Sequence, residues 1–326
     1  MTQITRRQLV ATALLSAMLP AWAQPAGYPD GRPIKLVVPY TPGGGTDTVA
    51  RFIAARISAE TRWSMIVENR PGAAGNIGMD IVAKAKPDGL MVGLGQTANL
   101  AINPALMPRM PFDAEKDLVP VALVASQPVV LVVRADSPWK SLGEAIKAAQ
   151  AKPGEFKQAL AGNGTVGHLA GEMLANRAQF KVLNVPYKGA GPAVNDLLGG
   201  STDFMFATPQ SVLEMLKGKR LRALAVTSAK RLPVLPDVPT VAESGYAGFE
   251  AVDWKVLVAP AGTPATIVQA LNAANEKVLS KPETIALLAT EGSTALGGSA
   301  AKARQYIQAE QRKWARLIKD ANITLE

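Results

Sequence analysis

The stretch Tyr40-Thr41-Pro42-Gly43-Gly44-Gly45-Thr46-Asp47 constrains this chain more than any other. Ahead of it Ile34, Leu36, Val37 and Val38 make the apolar run of a buried strand; behind it Val49, Phe52, Ile53 and Ile57 recur at helical spacing. A strand, a glycine loop and a helix start in that order make a place for an anion. Glycines let the backbone come close to a ligand, and the first N–H groups of the helix lack intrahelical acceptors and sit at the positive end of its dipole. The loop lacks the Lys-Ser/Thr ending of a nucleotide P-loop, which argues against ATP chemistry. By themselves the eight residues also fit a turn that needs glycine only for packing.

The same logic recurs along the chain. Ser64 to Glu68 reads as a strand, Asn69 to Asn76 as a second glycine-rich turn, and Ile77, Ile81 and Val82 as one face of a helix that stops before Pro87-Asp88-Gly89. Leu90 to Leu94 is a strand, and Gly95-Gln96-Thr97-Ala98-Asn99 leads into a short helix near Ile102 to Leu106. Strands alternating with helices predict a mostly parallel sheet, with ligands held by the polar loops that follow strand ends. Leu118 to Val133 is too long for one ordinary strand and reads as a pair or a crossing strand, with a domain switch near Val124; Ser141 and Glu144 then form a capping box.

A second unit follows: a strand Phe156 to Ala161, a loop Gly162-Asn163-Gly164-Thr165-Val166-Gly167, and a helix from His168. Val182 to Val185 leads into Tyr187-Lys188-Gly189, and Asp203 to Phe206 and Leu221 to Thr227 are strands around a helix from Pro209 to Leu216. After a proline-rich connector, Val252 to Val258 crosses back, and helices at 264–279, 283–289 and 300–319 finish the chain. The expected fold is α/β: two domains joined by two crossing strands with a ligand cleft between them, the first domain in 24–124, the second in 125–249, and a return to the first in 250–326.

Composition narrows the chemistry. A chain of 326 residues that is 48% apolar can fill two cores. The net charge of +9 is scattered rather than clustered and only 5% of residues are aromatic, a poor footprint for nucleic acid. There is no cysteine and one histidine, so disulfides, thiolate chemistry and His/Cys metal sites are excluded, and no metal or cofactor is expected. Arg6 and Arg7, the apolar run Leu9 to Leu19 and the small-x-small stretch Ala21-Trp22-Ala23 read as an export signal over residues 1–23, by the general or the twin-arginine route.

Several residues invite chemistry and also have quieter readings. Gly162, Gly164 and Gly167 match a dinucleotide fingerprint, but no acidic residue stands at the ribose position, and a second anion-holding helix start is the better reading. His168 suggests a hydrolase with Asp203 or Asp47, yet no G-x-S-x-G occurs; Asp47 suits a helix start and Asp203 a strand opening. Tyr40, Thr97, Asn99, Asn163 and Thr165 are turn-forming polar residues that share one sheet edge, which favours a ligand role. Trp254 either lines the cleft or packs.

Tyr40 to Asp47, Val67 to Gly78 (Val-Glu-Asn-Arg-Pro-Gly-Ala-Ala-Gly-Asn-Ile-Gly), Ala161 to Gly171, Val185 to Gly189 and Leu235 to Gly245 together resemble the Bug-type substrate-binding proteins of tripartite tricarboxylate transporters. The resemblance runs in order from about Tyr28 to the C-terminus. It implies a monomeric, non-enzymatic receptor of the type II periplasmic binding fold, whose cleft closes on a di- or tricarboxylate, an acidic amino acid or an aromatic acid. It also implies delivery to the membrane permease or to a sensor kinase. On this resemblance ligand contacts fall at Tyr40, Gly43, Gly44, Gly45, Thr46, Asp47, Thr97 and Asn99 in the first domain. In the second they fall at Asn163, Gly164, Thr165, His168, Tyr187 and Gly189, with Asp203 as a further candidate.

Overall fold

The computed structural model of the chain describes residues 27–324, so the expected signal segment lies outside the described residues. Two mixed sheets carry the fold. The strands are β1 (Ile34–Val38), β2 (Met65–Asn69), β3 (Met91–Gln96), β4 (Leu118–Pro128), β5 (Val130–Arg134), β6 (Lys157–Leu160), β7 (Leu183–Pro186), β8 (Phe204–Ala207), β9 (Leu221–Val226), β10 (Val252–Pro260) and β11 (Thr294–Ala295). The first sheet runs β11-β4-β10-β3-β1-β2 and the second β7-β6-β8-β5-β9.

Neither sheet is mostly parallel. β1, β2 and β3 pair in parallel, as do β6, β7 and β8, but β10 is antiparallel to β3 and β4, and β5 to β8 and β9. Apart from the short β11, which is antiparallel to β4, these antiparallel members, β5 and β10, are the strands that follow the crossings between lobes. β4 stays paired with β10, through two register shifts, as far as Pro128, so the chain changes sheet at Val129, five residues beyond the expected switch at Val124. Gln127 near the end of β4 interrupts the apolar run because its side-chain amide meets Asp253 and Ser293.

The return is tied to the outward crossing at one residue. Thr227 Oγ1 accepts from the Val129 amide (2.9 Å) and donates to the Ala251 carbonyl (2.6 Å), while the Thr227 and Ala251 amides donate to Val129 and Thr227 carbonyls (3.0 Å each). Both crossings therefore meet at a buried hydroxyl.

Helices flank each sheet: α1 (Gly45–Thr61), α2 (Asn76–Ala83), α3 (Asn103–Leu106), α4 (Leu142–Ala151), α5 (Val166–Ala178), α6 (Ala190–Leu198), α7 (Pro209–Lys217), α8 (Ala265–Leu279), α9 (Pro282–Thr290) and α10 (Ala300–Asp320). Their apolar spacing sets which face is buried. Val49, Ile53 and Ile57 of α1 pack with Leu271 and Val278 of α8 on β1 and β3, each large side chain contributing about 1.5–3 kcal/mol by burial. A second cluster runs through both lobes, from Leu100 and Leu123 through Val129 to Val166 and Leu169. No helix among the described residues is long and apolar enough to cross a membrane.

The parallel strands aim their C-terminal ends at the space between the lobes. The loops after β1, β3, β6, β7 and β8 therefore converge there, as such sheets require.

Candidate functional site

A cavity of about 50 Å³ lies between the lobes, lined by Tyr40, Gly44, Gly45, Thr46 and Gln96 from the first sheet's loops and by Ala161, Thr165, Val166, Gly167, Ala190 and Thr208 from the second. Met205, Phe206 and Ala207 of β8, Val129 at the crossing and Asp253 of β10 complete its wall. Four helices, α1, α5, α6 and α7, begin at it. Gly44, Gly189 and Thr208 precede three of them and give no side-chain cap, so first-turn amides are left without a protein side chain to accept them. α7 offers only the Gln210 amide, because it opens with Pro209, which has no N–H, and its Ser211 amide is bonded to the Thr208 carbonyl. Each start carries roughly half a positive charge, worth about 0.3–1 kcal/mol to a nearby anion at an exposed surface and up to ~2 kcal/mol when partly buried.

The threonine hydroxyls are largely committed within the protein. Thr46 Oγ1 donates to Gln96 Oε1, and Thr165 Oγ1 donates to the Gly162 carbonyl (2.8 Å) while accepting from the His168 amide as the cap of α5. With these hydroxyls committed, backbone N–H groups at the helix starts remain as donors for a ligand. Tyr40 is fixed as well, its hydroxyl donating to the Ala74 carbonyl at 2.7 Å; burial first, then the charge of Asp253, raises its phenol far above the usual range.

The lobes approach each other closely around the cavity. A Cβ on Gly45 would stand 2.6 Å from Thr208 Oγ1 and 2.8 Å from Gln210 Oε1, and one on Gly189 would stand 2.1 Å from Thr41 Oγ1. Every one of those atoms belongs to the opposite lobe. Gly45 and Gly189 are therefore small because the two halves meet there.

Tyr40, Gly44, Gly45, Thr46 and Thr165 are brought to the cavity wall; the other expected site residues are not. Gly43 donates its amide to Asp47 Oδ2 (3.0 Å), and Asp47 also accepts from Arg51 Nε (3.0 Å) and Asn69 Nδ2 (2.9 Å). Burial alone would raise the Asp47 carboxyl, but these bonds outweigh it and hold its pKa below the ordinary value. Its role is to tie loop, helix and β2 together. Thr97 accepts from the Trp254 amide (2.8 Å), and Asn99 Oδ1 accepts from the Gln96 amide (3.0 Å), so both brace the strand ends.

Asn163 and Gly164 sit in the loop before α5. The Gly164 amide donates to His168 Nδ1 (3.1 Å), while His168 Nε2 lies near Asn184 and Glu172 rather than at the cavity. Burial lowers the His168 pKa against the opposing pull of the Glu172 carboxylate, which keeps the ring a neutral acceptor. Tyr187 donates to Asp196 Oδ2 (2.6 Å); burial and then that bond push its phenol up to about 12. Gly189 caps α6 from outside the wall, and Asp203 accepts from the Lys157 amide (2.7 Å) to pin the start of β6.

Gln96, Thr208 and Asp253 line the cavity but were not singled out by the sequence. Thr208 carried a signal, a Thr-Pro pair between a strand and a helix. Asp253 and Lys255 carried another, two charges at alternate positions of an otherwise apolar crossing strand. Between them Trp254 faces the other way, fully buried, its Nε1 donating to Glu310 (3.0 Å), so it packs rather than lining the cleft. Among the described residues no group of three or more His, Asp or Glu is placed to hold a metal.

Two α/β lobes, two crossings and a cavity framed by helix starts at their junction define a hinged solute-binding protein with the strand order of the type II periplasmic fold. The profile of the tripartite tricarboxylate transporter family receptor matches residues 49–323, and the chain belongs to that family, the Bug-type receptors. It is 40% identical over 96% of its length, and 93% of the relative's, to the UPF0065 protein in the tcbD-tcbE intergenic region of Pseudomonas sp. strain P51. Among solved structures it resembles Rpa4515 of R. palustris with adipate (TM-score 0.88, 35% identity, 91% of this chain and 99% of that one). It also resembles the periplasmic binding protein BugD (TM-score 0.86, 34% identity, 90% and 99%). The family is one of periplasmic substrate-binding receptors rather than enzymes.

Proposed function

We propose that this chain is an exported, periplasmic solute receptor that takes up a small carboxylate by cleft closure and delivers it to the membrane permease of a tripartite tricarboxylate-type transporter. The observation that carries this reading is the convergence of four helix starts on one cavity between the lobes. A carboxylate leaving water needs several well-aimed donors to replace its hydration, and first-turn amides supply them without a full countercharge. The adipate held by Rpa4515 supports the same chemical class of ligand.

Closure follows from where the donors sit. The amides after Gly44 belong to one lobe and those after Thr165, Gly189 and Thr208 to the other, so a ligand carboxylate gains its full set of bonds only when both lobes engage it. The Gln210 side chain of the second lobe also donates to Ser293 of the first, which joins the halves beside the cavity.

Thermal unfolding of the chain from residue 24 onward, against mono-, di- and tricarboxylates, aromatic acids and amino acids, tests the reading. A cognate acid at 100 times its dissociation constant adds about 2.7 kcal/mol of stability. A selective rise in Tm with one chemical group is expected; a flat response to every acid by protein freed of copurified ligand would contradict the proposal.

A further inference from the structure

One buried group in the cavity wall has the opposite polarity to the helix starts. Asp253 is 3% exposed and lines the cavity beside Tyr40 and Gln96. Its Oδ2 accepts from Lys255 Nζ at 2.9 Å and from Gln127 Nε2 at 3.2 Å, whereas its Oδ1, fully buried, has no hydrogen-bond partner among the described residues. Gln127 is fixed in turn, since its Oε1 accepts from Ser293 Oγ at 3.2 Å. Two donors on one oxygen hold the carboxylate in a single orientation and leave the other oxygen as an acceptor waiting for a donor.

We propose that Asp253 is a specificity-determining residue of this cleft, its Oδ1 selecting carboxylates that carry a hydroxyl over the same acids without one. The inference rests on the carboxylate reading above and adds to it the chemistry of the ligand's second contact. An acid with no donor at that point would bury Oδ1 unsatisfied, which is what discriminates against it. A hydroxyl fits better than an ammonium group. Lys255 already neutralises the aspartate, and with the helix starts it would repel a second cation close by.

The test is calorimetric titration of the chain from residue 24 onward with matched acids of several lengths: succinate, malate and aspartate; glutarate, 2-hydroxyglutarate and glutamate; adipate and 3-hydroxyadipate. At the length that binds, the hydroxy member is expected to be tenfold or more tighter than the plain acid, a ratio of about 1.4 kcal/mol, and the amino member no tighter than the plain acid.

Asp253→Asn should keep a preference for the hydroxy member. Lys255 and Gln127 both donate, so the amide oxygen takes the Oδ2 place and the NH₂ group the Oδ1 place, where it can donate to the oxygen of the same hydroxyl. The discriminating variant is the pair Asp253→Leu with Lys255→Met, in which apolar side chains of similar volume replace both charges. There the ratio should fall below threefold, with the hydroxy member losing far more affinity than the plain acid. Equal binding of plain and hydroxy acids by the wild type at every length, preference for the amino member, or a tenfold ratio surviving in the folded double variant would overturn the proposal. Failure of every acid to bind would instead remove the carboxylate reading, and this inference with it.

Discussion

Gly45 shows how one missing side chain serves closure rather than folding. It begins α1 with ordinary backbone geometry, and the atoms its Cβ would meet, Thr208 Oγ1 and Gln210 Oε1, lie on the opposite lobe. Gly45→Val should therefore leave each lobe intact and stop them meeting. We expect Tm without ligand to change little and affinity for the best acid to fall by roughly 100-fold or more, about 2.8 kcal/mol; unaltered affinity in a folded variant would place the ligand elsewhere. His168 acts on stability instead. Its pKa is lowered from 6.5 by burial, so the unfolded chain binds the proton more readily. The stability this gives is fully present above the unfolded pKa of about 6.5 and is lost as pH falls below it toward the folded pKa. Unfolding free energies at pH 7.5 and pH 5 should differ more in the wild type than in His168→Asn; equal differences would assign the acid sensitivity to other groups.

At the scale of elements, helix starts do two jobs that the sequence displays differently. Ser141 caps α4 by accepting from the Glu144 amide (3.2 Å), while the Glu144 carboxylate accepts from the Lys140 amide, one residue before the cap rather than on it. Ser141→Ala should cost about 1 kcal/mol in urea unfolding with ligand affinity unchanged, since α4 lies away from the cavity. An affinity loss would couple that helix to the cleft. Most elements were legible because their apolar periods are long and their ends are marked by glycine and proline. The glycine loops pointed to the cleft for the same reason. What could not be read was where each polar side chain turns. Thr97 and Asn99 share a loop with Gln96, yet Thr97 turns to β10 and Asn99 back onto its own strand, which leaves Gln96 at the cavity. Strand direction was equally hidden, because whether β10 runs parallel or antiparallel depends on a pairing between distant segments. The two-residue strand β11 is too short to show a period.

For the whole molecule, motion of the lobes must pass through the crossings at Val129 and Thr227. Thr227→Val deletes the hydroxyl that serves the Val129 amide and the Ala251 carbonyl. Both are buried, so the cost should be about 1–3 kcal/mol in unfolding free energy. A looser hinge should also weaken the acid by lowering the population of closed protein. Unchanged stability together with unchanged affinity would show that the crossings need no such tie.

The claim that helix starts from both lobes jointly hold a carboxylate is tested most directly by a crystal structure of the chain bound to the acid that stabilises it most. The account predicts carboxylate oxygens within about 2.7–3.2 Å of first-turn amides of α1 and of at least one of α5, α6 and α7, inside the cavity bounded by Gly45, Thr165, Ala190 and Thr208. An acid held by one lobe alone, or bound outside that cavity, would contradict it.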